Sequence, residues 1–213
     1  MSAEPTFDAD FRTALHELLR WRRDVRRFRR DTLPAGTIER LLAVACLAPS
    51  VGLSQPWRFV LVEEPARRSA IHADFARCNA AALAAQAPGR AAAYARLKLA
   101  GLEDAPCQLA VFADPDTEQG GGLGRLTMPE MLQYSAVAAV HTLWLAARAE
   151  GIGMGWVSIL DPGAVAEILD VPAMWRLIGY FCLGYSAAAD DIPELERVRW
   201  ESRRPPCEFV VRR

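Results

Sequence analysis

"SAVAAVHTLWLAARAEGIGMGWVSIL", residues 135–160, decides how the chain is read. It is the most apolar stretch, yet His141, Arg148, Glu150 and several glycines interrupt it. A membrane span needs a longer uninterrupted apolar run. The stretch instead reads as a buried helix running from Pro129 to about Glu150, with Thr127 as its N-cap, followed by a strand at 155–159. Glycines 151, 153 and 155 stand between helix and strand. A dinucleotide fingerprint needs its glycines after a strand and before a helix, the reverse order. The simple reading is a helix C-cap and a tight start to the strand. Bare backbone there also leaves room for a flat ligand.

Working outward, apolar spacing and proline stops predict a first helix at 8–20 and a second at 37–48. They also predict a strand at 57–64, an Ala-rich helix at 65–86 and a further helix at 88–101. Strands follow at 108–114 and 177–185, the latter apolar throughout and so buried on both faces, with a helix at 162–170 before it. Residues 115–129 form a loop with four glycines, long enough to act as a lid. The tail, 186–213, ends in "FVVRR", which reads as an added edge strand. Long helices between few strands give a mixed α+β layer architecture. No repeat or linker divides the 213 residues, so 1–213 reads as a single domain with 186–213 as its extension.

The net charge is −1, which does not suit a polyanion binder. The arginines at 20–30 are a local feature, offset by acids such as "DDIPELE" at 190–196. They are either a solvated basic face or a phosphate site, since guanidinium forks pair with phosphate. Arg22, Arg23 and Arg26 span about one helical turn, so at least two of them can point the same way. No nucleic-acid motif accompanies them. Lys98 is the sole lysine, so the preference for Arg is general to the chain. The five cysteines are odd in number and lack metal spacing, which points to a reducing compartment. The N-terminus lacks the basic start and apolar stretch of a signal peptide. The three histidines are isolated, and no metal site is expected. "APSVGLSQPWRF", 48–59, is a Ser/Gly loop between helix and strand. It offers the Ser50 and Ser54 hydroxyls and exposed backbone N–H groups, or is an ordinary connection.

Together "RRDVRRF", "APSVGLSQPWRF", "GLGRLTMPEM", "LAARAEGIGMGWVSILDP" and "GYFCLGY…ELERVRW" resemble the flavin-dependent nitroreductase superfamily over residues 12–204. General members carry Arg-Arg-Ser-x-Arg where this chain has Arg-Arg-Asp-Val-Arg at 22–26. Asp24 in the Ser place resembles the branch that destroys flavin. The resemblance implies a mixed β-sheet flanked by helices, in a homodimer with intertwined tails and FMN at the subunit interface; the chain reads as cytoplasmic, with no nucleic acid or membrane partner. It implies that reduced FMN is the substrate and molecular oxygen the co-substrate. Products would be 5,6-dimethylbenzimidazole, the lower ligand of vitamin B12 (cobalamin), and erythrose 4-phosphate. NAD(P)H would act indirectly, through a separate flavin reductase. By the same resemblance Arg22, Arg23, Asp24, Val25, Arg26, Ser50, Leu99 and Ser158 contact the flavin, and Asp24 and Ser158 are catalytic. The loop 120–127 would be a lid that keeps water off the ring. Arg27, Arg29 and Arg30 are read as plain surface. The alternatives are an NAD(P)H-dependent nitroreductase or flavin reductase that keeps its FMN, and a protein that only stores it. For Asp24 two effects oppose: nearby Arg charges lower its pKa, and burial raises it.

Overall fold

The computed structural model describes residues 4–95, 97, 101–188 and 190–213. Its helices are α1 (Ala9–Trp21), α2 (Thr37–Ala45), α3 (Pro65–Ala84), α4 (Pro88–Tyr94), α5 (Gly101–Asp104), α6 (Met131–Ala149), α7 (Pro162–Leu169) and α8 (Glu194–Arg197). Its strands are β1 (Trp57–Leu61), β2 (Cys107–Ala113), β3 (Gly153–Val157) and β4 (Arg176–Gly184). They lie in the order β1-β2-β4-β3. All three ladders are antiparallel. The mixed character expected of the sheet comes down to one parallel bridge, Asp24 beside Met154, on the open edge of β3.

The period of two sorts the central strands between two cores. Leu109, Val111, Phe181 and Leu183 face α2 and α6 with Leu41, Ala45, Leu143 and Trp144. Ala110, Phe112, Tyr180 and Cys182 face α3 and α7 with Ile71, Val165 and Leu169. The result is a helix layer on each side of an α+β sheet. One polar pair is admitted between the inner strands: the Tyr180 hydroxyl donates to Gln108 Oε1 at 2.6 Å, and Gln108 Nε2 donates to Leu102 O at 2.9 Å.

The end of α6 follows its glycine. Gly151 takes φ +75°, Ile152 N donates to Ala147 O at 2.8 Å, and Gly151 N donates to Arg148 O at 3.0 Å. That is the two-bond cap a left-handed glycine permits, and it turns the chain into β3. The start of α6 differs from expectation. Glu130, not Thr127, is its N-cap and makes no side-chain cap bond, because a turn closed by Met131 N on Met128 O comes first. The expected helix 88–101 stops at Tyr94, and Gly101–Asp104 forms a separate turn of helix. The terminal "FVVRR" adds no strand among the described residues. Pro206–Phe209 is a 3₁₀ turn, and Val210 and Val211 stay exposed.

Candidate active site

α1 ends at Trp21, so Arg22–Arg26 is not a helical turn as the spacing suggests; Arg22 caps the helix in extended conformation. The segment runs along β3, the edge strand, whose outer N–H and C=O groups need partners. Val25 N donates to Met154 O at 3.0 Å. The next free donor on that edge, Trp156 N, is taken by the carboxylate of Asp24, with Oδ1 at 2.8 Å. The glycines explain the closeness. A Cβ on Gly155 would stand 2.1 Å from Val25 O, and one on Gly153 2.8 Å from Val25 Cγ2. What lies against the bare backbone of residues 153–155 is therefore the chain's own Asp24–Val25, and not a flat ligand.

The two opposed effects on Asp24 resolve in favour of burial. Its pKa is raised, first by desolvation, against the Trp156 N–H and the Arg26 charge, which lower it. Arg26 Nε stands 3.4 Å from Asp24 Oδ2 and 3.7 Å from Glu194 Oε2, so its charge is divided. The Asp24 side chain still keeps 37% of its surface, which leaves the carboxyl open to a ligand. Asp24, Gly155, Val157, Gly101 and Cys182 enclose a small space beneath it. The Cys182 thiol is pushed up to about 12, by burial and then by the Asp24 charge, and stays protonated at neutral pH.

The arginines divide as expected. Arg27, Arg29 and Arg30 are exposed, with Arg29 paired to Asp31 and Arg30 to Asp104. Arg22, Arg23 and Arg26 are half-buried; the Arg22 guanidinium stacks over Trp144 at 4.8 Å, and Trp144 Nε1 donates to Arg23 O at 3.1 Å. Burial lowers the pKa of Arg22 and Arg23, and the like charge of Arg203 lowers both further. Among the described residues Arg22 Nε, Arg23 Nε and Arg26 Nη1 are buried without a partner. Buried guanidinium N–H groups left over in this way make the segment a candidate anion site. A cleft of about 320 Å³ opens beside Arg23 and Arg26, lined also by Asp24, Ser186, Asp190 and Glu194.

The acidic run does more than offset charge at a distance. Asp191 pairs with Arg20, and its carbonyl accepts from Arg23; Asp190 pairs with Arg197 at 3.1 Å. Trp144, Trp156 N, Asp191 and Glu194 are the site-building residues that sequence reasoning missed. The acid run was the only signal for the last two.

Ser158 lies exposed just beyond β3, two residues after Trp156 and so on the order of 7 Å along the chain from Asp24's anchor. Ser50 lies elsewhere. Its Oγ accepts from Gln55 N at 3.1 Å, and its neighbour Val51 N donates to Ser135 Oγ at 3.0 Å. Ser135 is nine positions before Trp144 on α6, about 14 Å from the residue that holds Arg23. The glycine loop packs on Ser50's loop: Gly120 and Leu123 lie against Gly52, and Gln119 Nε2 donates to Leu53 O at 2.8 Å. Leu99 lies outside the described residues. Among the described residues no three acidic, His or Cys side chains gather as a metal site, and no helix is long and apolar enough to cross a membrane.

The sequence profile of the nitroreductase family matches residues 19–185, the span from the end of α1 through β4. The chain belongs to the nitroreductase family. Within this family it is 59% identical over 213 residues to the 5,6-dimethylbenzimidazole synthase of Rhodospirillum rubrum, with the whole of both chains covered. It is 49% identical over 199 residues to that of Rhodobacter capsulatus, covering 93% of this chain and 96% of the relative. The fold is similar to the crystal structure of an oxidised iodotyrosine deiodinase bound to FMN and 3-iodo-L-tyrosine. That match has a TM-score of 0.70 and 25% identity, and covers 83% of this chain and 91% of that one.

Proposed function

We propose that this nitroreductase-family chain fragments reduced FMN with molecular oxygen, giving 5,6-dimethylbenzimidazole and erythrose 4-phosphate. Full-length identity to two 5,6-dimethylbenzimidazole synthases supports the assignment. The observation that carries it is the Asp24 carboxyl, held on Trp156 N with a raised pKa beside an anion site.

The residues present fit FMN. The orphaned donors of Arg22, Arg23 and Arg26 suit a phosphate, and Asp24, Val25 and Ser158 suit the ring end. Bound reduced FMN supplies the electron-rich ring on which oxygen acts. The chain's part is to hold that ring and to move protons beside it. A carboxyl with raised pKa keeps its proton to higher pH, and its ionised form is a stronger base than an ordinary Asp. It can therefore both take a proton from the bound molecule and return one. Trp156 N–H fixes Oδ1, leaving Oδ2 and Arg26 to face the ligand. The Ser158 hydroxyl donates to, or accepts from, the polar edge of the ring.

Ser50's loop is anchored on Ser135, about 14 Å along α6 from the Trp144 that holds Arg23; a homodimer in which a second copy brings Ser50 and the glycine loop to the arginines would join the two places. Reduced FMN comes from a separate flavin reductase that spends NAD(P)H. Five free cysteines suit the cytoplasm. Residues 186–213 extend a single domain and close over Arg20, Arg23 and Arg26 through Asp191 and Glu194.

The test is to mix purified protein with excess reduced FMN, admit air and analyse the products by mass spectrometry. The wild type is expected to yield dimethylbenzimidazole, and Asp24→Asn at least ~100-fold less. Recovery of intact FMN from the wild type would overturn the assignment and turn the search to NAD(P)H-dependent reduction of nitroaromatics and quinones.

A further inference from the structure

Asp74, midway along α3, belongs to none of the elements that carry Arg22–Arg26 or Ser158, yet its carboxylate is only 5% exposed. Burying a charge is costly unless its acceptors are used. Here Oδ2 accepts from the backbone N–H of Asp161 at 2.8 Å, and Oδ1 pairs with Arg77 one turn further along α3. Arg77 also reaches Asp161 Oδ2 at 3.7 Å. Asp161 in turn starts α7, its Oδ1 accepting from Gly163 N at 2.8 Å and Ala164 N at 3.2 Å. At the far end of α7, Arg67 Nη1 donates to Ile168 O at 2.6 Å. α3 thus fastens α7 at both ends.

The turn between β3 and α7 is residues 158–160. One end is Val157, buried and in register with Tyr180. The other is Asp161, on Asp74. Three residues between two fixed ends have little freedom, and Ser158 is the first of them. Asp24 is pinned to the same strand through Trp156 N. We propose that Asp74 is a positioning residue: by anchoring the β3–α7 turn through Asp161 N, it fixes where the Ser158 hydroxyl stands relative to the Asp24 carboxyl. The proposal rests on the reading of Ser158 as a residue that contacts reduced FMN.

The readout is the fraction of consumed reduced FMN that becomes dimethylbenzimidazole rather than intact oxidised FMN, alongside FMN affinity from fluorescence quenching. Asp74→Ala is expected to lower that fraction about tenfold, the cost of a small misplacement at a reacting centre. Affinity should stay within about threefold. Asp74→Asn keeps an oxygen for Asp161 N and should restore most of the product. Asp74→Glu keeps the charge but moves it by a methylene; it should fall with the Ala variant, and it stands in for that variant should Ala not fold. The double variant Asp74→Ala/Ser158→Ala should be no worse than Ser158→Ala, because both changes remove one function. Additive losses, affinity falling in step with product, or full product from Asp74→Ala overturns the proposal. Full product from Ser158→Ala overturns the reading of Ser158 beneath it. Loss there with none in the Asp74 variants overturns the role of Asp74 alone.

Discussion

Asp24 shows how one side chain answers a backbone requirement and a chemical one together. The edge strand β3 presents Trp156 N–H, and an ionised carboxylate is a stronger acceptor for it than water in a half-buried place. Burial nevertheless dominates, so the folded chain holds the Asp24 proton to higher pH than the unfolded chain, whose ordinary value is 3.8. Wherever the native state binds the proton more tightly, stability falls as pH rises. The penalty is absent below the ordinary carboxylate range and complete above the raised value. Asp24→Asn keeps an oxygen for Trp156 N and does not titrate. Its melting temperature relative to wild type is therefore expected to climb in thermal melts as the pH rises from the ordinary carboxylate range through the raised value, and then to level off. A difference that is flat across that range would mean that burial does not govern this carboxyl. The sequence put Asp24 among arginines but could not weigh burial, because its burial is made by Gly155, Trp156 and Cys182, more than a hundred residues on.

At the scale of elements, period and punctuation were legible and contacts were not. Short apolar runs marked β2 and β4, and the glycine after α6 marked its cap, because these are local matters of run length and φ. What fills the space over Gly153 and Gly155 is not local, so the chain's own Asp24–Val25 could not be told from a ligand. The same holds for "DDIPELE": its charge was plain, but not its seat on Arg20, Arg23 and Arg26. Gly155→Ala tests this close approach. Its Cβ would meet Val25 O at 2.1 Å, a backbone atom that cannot swing aside. We expect a loss of about 1–3 kcal/mol in urea unfolding, the usual cost of overpacking, with weakened FMN binding as Arg22–Arg26 is pushed off β3. Gly89→Ala on α4, whose Cβ meets nothing within 4 Å, is the control and should leave FMN binding unchanged and stability undiminished.

For the whole molecule, the candidate residues among those described fall in two places. Arg22–Arg26, Asp24 and Ser158 gather at the β3 edge, while Ser50 and the glycine loop sit by the first turns of α6, about 14 Å away along that helix. Apolar side chains stay exposed around the second place and along two helices: Leu53, Leu123 and Leu126, Tyr134 and Val137 on α6, and Phe11 on α1. Surfaces of that kind are usually covered. A two-fold dimer would cover them and bring Ser50 of one copy to the arginines of the other. The dimer therefore makes a prediction that a self-contained site does not. Ser50→Ala and Arg26→Ala homodimers should each be impaired in converting reduced FMN. When the two are unfolded together and refolded, the mixed dimers contain one site with both residues mutated and one with both intact. Activity should then return to a sizeable fraction of wild type, up to half in each mixed dimer. If each site were built from one chain, every site in the mixture would carry one lesion, and mixing would restore nothing.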